Sequence, residues 1–516
     1  MGSRMGTFYP QLIIVWTVLD STVSAQLTTT NFLVESDALI PNSLNAKDFN
    51  VRGDGVTDDS RAIQQFIDGA WLDQKIAFFP SGEYIITQNI WIKGTVSIQG
   101  SVRGMTVLKT SRTKILQVFI GNKKHGLSGL AINHIFFDGV MVYFSSKRYK
   151  YNFRLSNCMF FSGRTPVLAI LKPAFVNWQR VANGVISNVI ILRSKAIHGL
   201  GLSFYKTKNV RFESSIVGLD FNNLSWLATQ YHGINTWDNL VGKLHFIKAH
   251  YKISSDQGHF IAGLYGNRDD SLTIRGNIFN GSPYKTGFID HVIYLKGFDG
   301  LYVLGNYARG WPNSPWGGLK MRNGENLVVA RNYLVDTGVL MYTHNEISLD
   351  PLHQGLANVY VYGNHLVELT NIGGMGTGIR YYEPHYTGTD VNINFCHNIF
   401  EIKNLNLTSP PVGMSVSNGD KEEHHVFRDN VYFGTTVTVK LIALSTGDGQ
   451  MEFENGTCDQ NMVSPYQNIR IPNLVIPAYC NQMAFRHACN ISPLAGFFDQ
   501  LHAKAWLGSN LELQQS

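Results

Sequence analysis

One motif recurs along the chain at a spacing that few folds accommodate. It reads apolar-x-apolar-x-x-Asn, and clear copies lie at 272–277, 301–306, 327–332 and 359–364. Looser copies surround Asn398 and Asn430, and earlier ones surround Asn157 and Asn188. From Asn277 to Asn398 successive asparagines stand about 26 to 34 residues apart, a period that marks solenoids or propellers. Propeller blades repeat at about 40 to 50 residues with four strands each. The shorter, uneven period here favours a solenoid with loops of variable length. A strand turns alternate side chains to opposite faces, so the apolar positions of each copy face one core. The Asn falls where the strand ends and the chain turns. Asn tolerates left-handed backbone and hydrogen-bonds its neighbours, and stacked turns would set the asparagines in a ladder. The expectation is an all-β, single-stranded parallel β-helix.

Composition agrees. The chain has 516 residues, 44% of them hydrophobic, enough for a large core. Charged residues are sparse at 16% and Gly reaches 49 copies, a balance that suits many turns and strands. Length alone suggests several domains, but stacked repeats merge into one body. A net charge of +6 without a Lys/Arg cluster resembling a nucleic-acid-binding segment gives no reason to expect a nucleic-acid partner. At the N-terminus, Arg4, the apolar run opening at Leu12–Trp16 and the small residues Val23-Ser24-Ala25 read as a signal peptide over 1–25. That run is too short to span a bilayer, and no later stretch suits a membrane helix. Sequons begin at Asn223, Asn280, Asn406, Asn455 and Asn490, the second disfavoured by Pro283. Together these point to a secreted, extracellular glycoprotein. Of the five cysteines, Cys458, Cys480 and Cys489 allow one disulfide, while Cys158 and Cys396 are expected in a core. Their spacing fits no zinc motif.

The stretch 45–60 leads into Arg61–Ile67, which has helical spacing behind an Asp/Ser cap. Strand-like 76–86 and 96–100 follow. This series resembles the entrance of pectate-lyase-like β-helix proteins, among them glycan lyases and phage tailspikes. The resemblance implies a right-handed β-helix over 38–440 whose N-terminal helix plugs the open end and covers an edge prone to aggregation. After about Cys458 the repeat fades, and 441–516 reads as a C-terminal capping region with a short amphipathic helix at Leu494–Leu501. Asp54, Asp58 and Asp59 read as turn and cap chemistry.

Candidate chemistry lies between His291 and Asn345. Alternation points Ile293 and Leu295 inward and Tyr294 and Lys296 outward. It likewise turns Lys320 and Arg322 outward from Leu319 and Met321, and Tyr342 and His344 outward from Val339 and Met341. Arg380 and Tyr382 follow the same rule. Lys296 precedes Leu301 by the same interval as Arg322 precedes Leu327, so the two cations should occupy equivalent places on neighbouring coils, about 4.8 Å apart. Cations that close repel, which lowers a Lys pKa. An outward stripe of Lys, Arg, Tyr and His suits a polymer carrying carboxylates or sulfates.

The segments 272–277, Val292–Gly297 and Gly318–Gly324 are similar to the alginate lyase and chondroitinase B family of polysaccharide lyases. That family carries Lys-Ser on one coil and Arg-His-Gly on the next. Lys296-Gly297 and Arg322-Asn323-Gly324 stand in those places, and the resemblance implies a general base at Lys296 and a general acid at Arg322. The family also holds calcium with acidic residues just before the Lys. Here those places read Ile289-Asp290-His291, and calcium wants many oxygen ligands. No cofactor is therefore expected, with calcium disfavoured.

The chemistry implied is β-elimination on a uronic acid, in which the neighbouring carboxylate is neutralised and a base reaches the C5 proton. Lys296 or His344 would be the base, and Tyr342 or Arg322 would protonate the leaving oxygen. Tyr294, Lys320, Arg380 and Tyr382 would bind substrate. Three alternatives remain open. A glycoside hydrolase needs two carboxylates, and Asp269, Asp270, Asp336, Asp350 and Glu383 show no convincing pair by register. A uronate C5-epimerase would share the proton abstraction. Asp350-Pro-Leu-His353 and Tyr382-Glu-Pro-His385 resemble the epimerases' Asp-Pro-His motif, but read as turns. A non-catalytic glycan-binding surface protein would use the stripe without turnover. Nothing in the sequence marks an oligomer interface.

Overall fold

The computed structural model describes residues 40–110, 117–121, 128–161, 174–192, 200–219, 243–244, 262–281, 291–309, 318–343, 355–368, 379–382 and 391–402, and strand segments between 412 and 458. The signal peptide expected at 1–25 and the helix expected at 494–501 lie outside the described residues.

Each coil contributes three strands. One coil runs Ala262–Asn267, then Asp270–Arg275, then Ile278–Asn280. The next fuses the first two into His291–Leu304, bent at the left-handed Gly297, and continues with Tyr307–Arg309. Every strand pairs in parallel with its counterpart one coil away. Leu264 faces Ile293, Leu272 faces Leu301, and Ile278 faces Tyr307. The next register sets Ile293 on Leu319, Leu301 on Leu327 and Tyr307 on Tyr333. Parallel neighbours need a long return connection, and the rest of the coil supplies it. Three strand columns result, called here the site face (the 262–267 column), the flank face (270–275) and the back sheet (278–280). Pairing continues to Cys458, opposite Tyr432. Coil strands thus extend into 441–458, a stretch the sequence reading gave to a cap.

Inward residues stack in rows and form one apolar core reaching from Ala46 to Phe400. Leu264, Ile293, Leu319 and Val339 make one fully buried row. At the corner between flank face and back sheet the expected ladder is present. Asn277, Asn306, Asn332 and Asn364 each donate from Nδ2 to Oδ1 of the next Asn at 2.9 to 3.1 Å, ending on Asn398. Each also donates to a backbone carbonyl of the previous coil, as Asn332 does to Val303 at 2.9 Å. The left-handed backbone, however, belongs to the preceding residue: Gly276, Gly305, Arg331, Gly363 and His397. Asn157 and Asn188 occupy that left-handed place themselves, so Cys158 and Val189 take the inward position there and both are buried.

The helix Ser60–Leu72 buries Ile63, Phe66, Ile67 and Ala70. It packs on strands 43–45, 76–79, 90–92 and 96–100. Phe66 meets Phe49 and Phe79 at ring distances of 5.3 and 5.0 Å. The aspartates before it do turn work. Asp54 accepts from Val56 and Thr57 N–H and from the Thr57 hydroxyl. Asp58 accepts from Ser60 and Thr87. Asp59 accepts from the N–H groups of Arg52 and Gly53 at 2.7 and 2.9 Å.

Candidate active site

Register brings the two predicted cations together. Lys296 lies directly opposite Arg322 on adjacent coils of the site face. Both sit at the end of their strand segment, just before a left-handed corner at Gly297 or Asn323. The corner needs the glycine that follows Asn323: a Cβ on Gly324 would lie 2.5 Å from the Phe298 carbonyl oxygen. The same outward row continues from Asn267 through Lys296, Arg322 and Tyr342 to Tyr382. A second outward row carries Tyr265, Tyr294, Lys320, Leu340 and Arg380.

Side chains of the two rows interlock diagonally. Arg322 Nη1 donates to Tyr294 Oη at 3.2 Å. The Arg322 guanidinium also lies 5.6 Å from the Tyr342 ring. Lys320 Nζ stands between two rings, 4.8 Å from Tyr294 and 4.9 Å from Tyr342. Lys296 Nζ lies 6.0 Å from the Tyr265 ring. Such cation–ring contacts hold a charge over an aromatic face while leaving it half-solvated. Lys296, Arg322, Tyr294, Lys320 and Tyr342 are all half-buried, so each is anchored yet reachable.

Leu340 differs from its row neighbours, being fully buried. Arg380 and Tyr382 stand in strand Ile379–Tyr382, in register with Leu340 and Tyr342. Their side chains are outside the described residues, as are His344, Asp290, Asp350 and Glu383. Asp269 is buried at the corner, where its Oδ1 accepts from Thr207. Asp270 is ion-paired with Lys208 at 2.9 Å on the flank face. These carboxylates therefore form no pair on the site face. From Asn177 to Ser445 the described positions of the two outward rows hold no Asp or Glu.

Two site residues were missed in the sequence. Tyr265 meets Tyr294 edge to face at 5.6 Å. The 29-residue step from Asn277 to Asn306 carries Tyr294 back to Tyr265, so extending the repeat one coil would have found it. His291 is 5% exposed, with its ring 5.3 Å from that of Tyr294. Alternation counts His291 with the inward Ile293, which hid it.

Cys158 is a buried free thiol, pushed up to about 12 by burial, as a core thiol should be. Cys396 is buried too, and it is disulfide-bonded, a bond expected from the sequence only among the C-terminal cysteines.

Residues 43–140 match the family described as rhamnogalacturonase A/epimerase, pectate lyase-like. Alginate lyase 7 of Azotobacter vinelandii is 37% identical over 105 residues, which is 17% of this chain and 12% of that protein. Mannuronan C5-epimerase AlgE1 of the same organism is 35% identical over 99 residues, or 18% of this chain and 7% of that protein. The chain thus matches only a small share of either relative's length. Among solved structures, the surface adhesin PfbA of Streptococcus pneumoniae aligns with a TM-score of 0.48 at 12% identity, over 81% of this chain and 92% of that one.

Proposed function

As a member of the pectate-lyase-like β-helix superfamily, to which residues 43–140 tie it, the chain is, we propose, a secreted lyase that cleaves a uronate-containing polysaccharide by β-elimination. One observation carries this reading: Lys296 and Arg322 share a row on adjacent coils, set among tyrosines and without a described carboxylate in either outward row. A hydrolase would need two acids there. An anionic glycan needs cations, and sugar rings suit aromatic faces.

Arg322 and Lys320 neutralise the substrate carboxylate, which makes the adjacent C5 proton removable. Lys296 takes that proton, with His344 as the alternative base. The C5–H electron pair forms the C4=C5 double bond as the C4–O bond breaks. Tyr342 or Arg322 returns a proton to the departing oxygen. Tyr294, holding Arg322 by its hydroxyl, fixes the guanidinium, and Arg380 and Tyr382 extend the binding stripe along the next coil. Calcium does not fit the described surroundings of Lys296. Asn267, His291 and tyrosines offer too few hard oxygen ligands for an ion that takes six to eight, so no step runs through it.

Secretion is supported by the signal-like N-terminus and by the disulfide at Cys396, which suits an oxidising compartment. The coils are read as right-handed, the hand that parallel crossovers take, and the helix Ser60–Leu72 as the lid of their open end.

The test is incubation with alginate, hyaluronan, chondroitin and pectate. A lyase releases unsaturated, ultraviolet-absorbing ends, and Lys296→Ala should lower that rate by about 100-fold or more. Reducing ends without the absorbance would sink the reading. The match to a mannuronan C5-epimerase favours one second reading, since epimerisation begins with the same proton abstraction. Altered C5 configuration without chain shortening, followed by nuclear magnetic resonance, would identify it.

A further inference from the structure

We infer that an open groove beside the C-terminal end of the helix Ser60–Leu72 is a second binding site for an acidic oligosaccharide. The ligand class rests on the lyase reading above; the groove itself does not. It encloses about 700 Å³. Its floor is the outward row Ile76, Ser97 and Ala131 on three successive coils of the flank face. Ser97 and Ala131 are small, so the floor lies low. Arg154 follows Ala131 in the same row, and Lys75 precedes Ile76. A cation therefore stands at each end, three ladder steps or about 14 Å apart along the axis.

Trp71 walls one side. A Cβ on Gly94 would fall 1.9 Å from its Nε1, so the indole lies against bare backbone and is held in place. Asn152 and Gln74 add amide groups. Among the described residues no carboxylate lines the groove, and neither Lys75 nor Arg154 makes an ion pair. A concave site with a few placed polar groups is how small ligands are held. The combination here, a flat ring, amides for hydroxyls and separated cations for carboxylates, matches several linked uronates. One phosphate or sulfate could not engage both ends.

The groove is remote from Lys296 and Arg322. Ala131 connects to Tyr302 through Arg154, Val185, Arg211 and Thr273, five steps or about 24 Å along the axis. A polymer held here is kept at high effective concentration near the site face.

Calorimetry on the full chain carrying Lys296→Ala/Arg322→Ala tests the groove without turnover. Probes are tetramannuronate, tetragalacturonate, neutral mannotetraose and an oligoglutamate peptide. The expected result is one-site binding of at least one tetrauronate, weakened at least tenfold by adding Lys75→Ala/Arg154→Ala. Lys75→Arg/Arg154→Lys should restore it, with circular dichroism unchanged throughout. The inference is overturned if neither tetrauronate binds, if the alanine pair leaves binding unchanged, or if mannotetraose or oligoglutamate binds as well. The lyase reading fails on a different result: no unsaturated product from the unmodified chain. Groove binding can survive that failure.

Discussion

Asp269 is a carboxyl group placed where water cannot reach it. It is 3% exposed. Thr207 satisfies only Oδ1, while Oδ2 is buried without a hydrogen-bond partner. Burial outweighs those hydrogen bonds and raises its pKa to about 7. In the unfolded chain a carboxyl titrates near 4. Between about pH 4 and pH 7 the unfolded chain has therefore lost a proton that the folded chain keeps, and stability falls as pH rises through that window. The three-unit gap corresponds to roughly 4 kcal/mol. Asp269→Asn keeps an acceptor for Thr207 and cannot ionise. Its midpoint in urea at pH 8 should exceed that of the unmodified chain, with the two converging near pH 4. A parallel pH profile for both chains would contradict this account. At the site, Tyr294→Phe keeps the ring beside Lys320 but removes the acceptor of Arg322 Nη1. Turnover should fall about tenfold with little change in KM, the signature of a group that matters in the transition state.

At the scale of the element, the asparagine ladder was legible because it repeats, but its corner was misread by one residue. A corner needs a left-handed residue and an inward hydrogen-bonding residue. Asn can do either, so the motif by itself does not separate the two tasks. The structure divides them, with Gly305 taking the backbone strain and Asn306 the hydrogen bonds. Asn157 and Asn188 show the other division, which one looser motif cannot separate from the first. The ladder's stability can be tested at its centre. Asn332 donates to Val303 and Asn364, and its Oδ1 accepts both N–H and Nδ2 of Asn306. Asn332→Ala leaves the buried Asn306 N–H without its acceptor and takes one donor each from the Val303 carbonyl and Asn364 Oδ1, and a buried polar group that loses its partner costs about 1 to 3 kcal/mol. A loss of roughly 3 to 5 kcal/mol in chemical denaturation is expected. The exposed Asn326, which also bonds along a column to Asp299, is the control. It is left-handed, so Asn326→Gly should change stability by less than about 1 kcal/mol.

For the whole molecule, what the sequence disclosed was what repeats. Parallel register and the pairing of Lys296 with Arg322 follow from a period, and periods are visible in one sequence. The Tyr294–Arg322 hydrogen bond and the burial of Leu340 follow from side-chain placement that no period encodes. Repetition also governs how the molecule should come apart. Each coil touches chiefly its neighbours, so stability is close to a sum of local terms. The helix Ser60–Leu72 packs on strands between 43 and 100, and Phe66, fully buried between Phe49 and Phe79, is its central contact. Phe66→Ala should cost about 3 to 5 kcal/mol locally. In a quasi-one-dimensional body that loss should fade along the axis. Amide hydrogen exchange should then rise at 76–79 and 96–100 while 319–330, many coils away, keeps its protection. Equal loss of protection at both ends would show instead that the continuous core from Ala46 to Phe400 opens as a single cooperative unit, and that the coils are not thermodynamically separable.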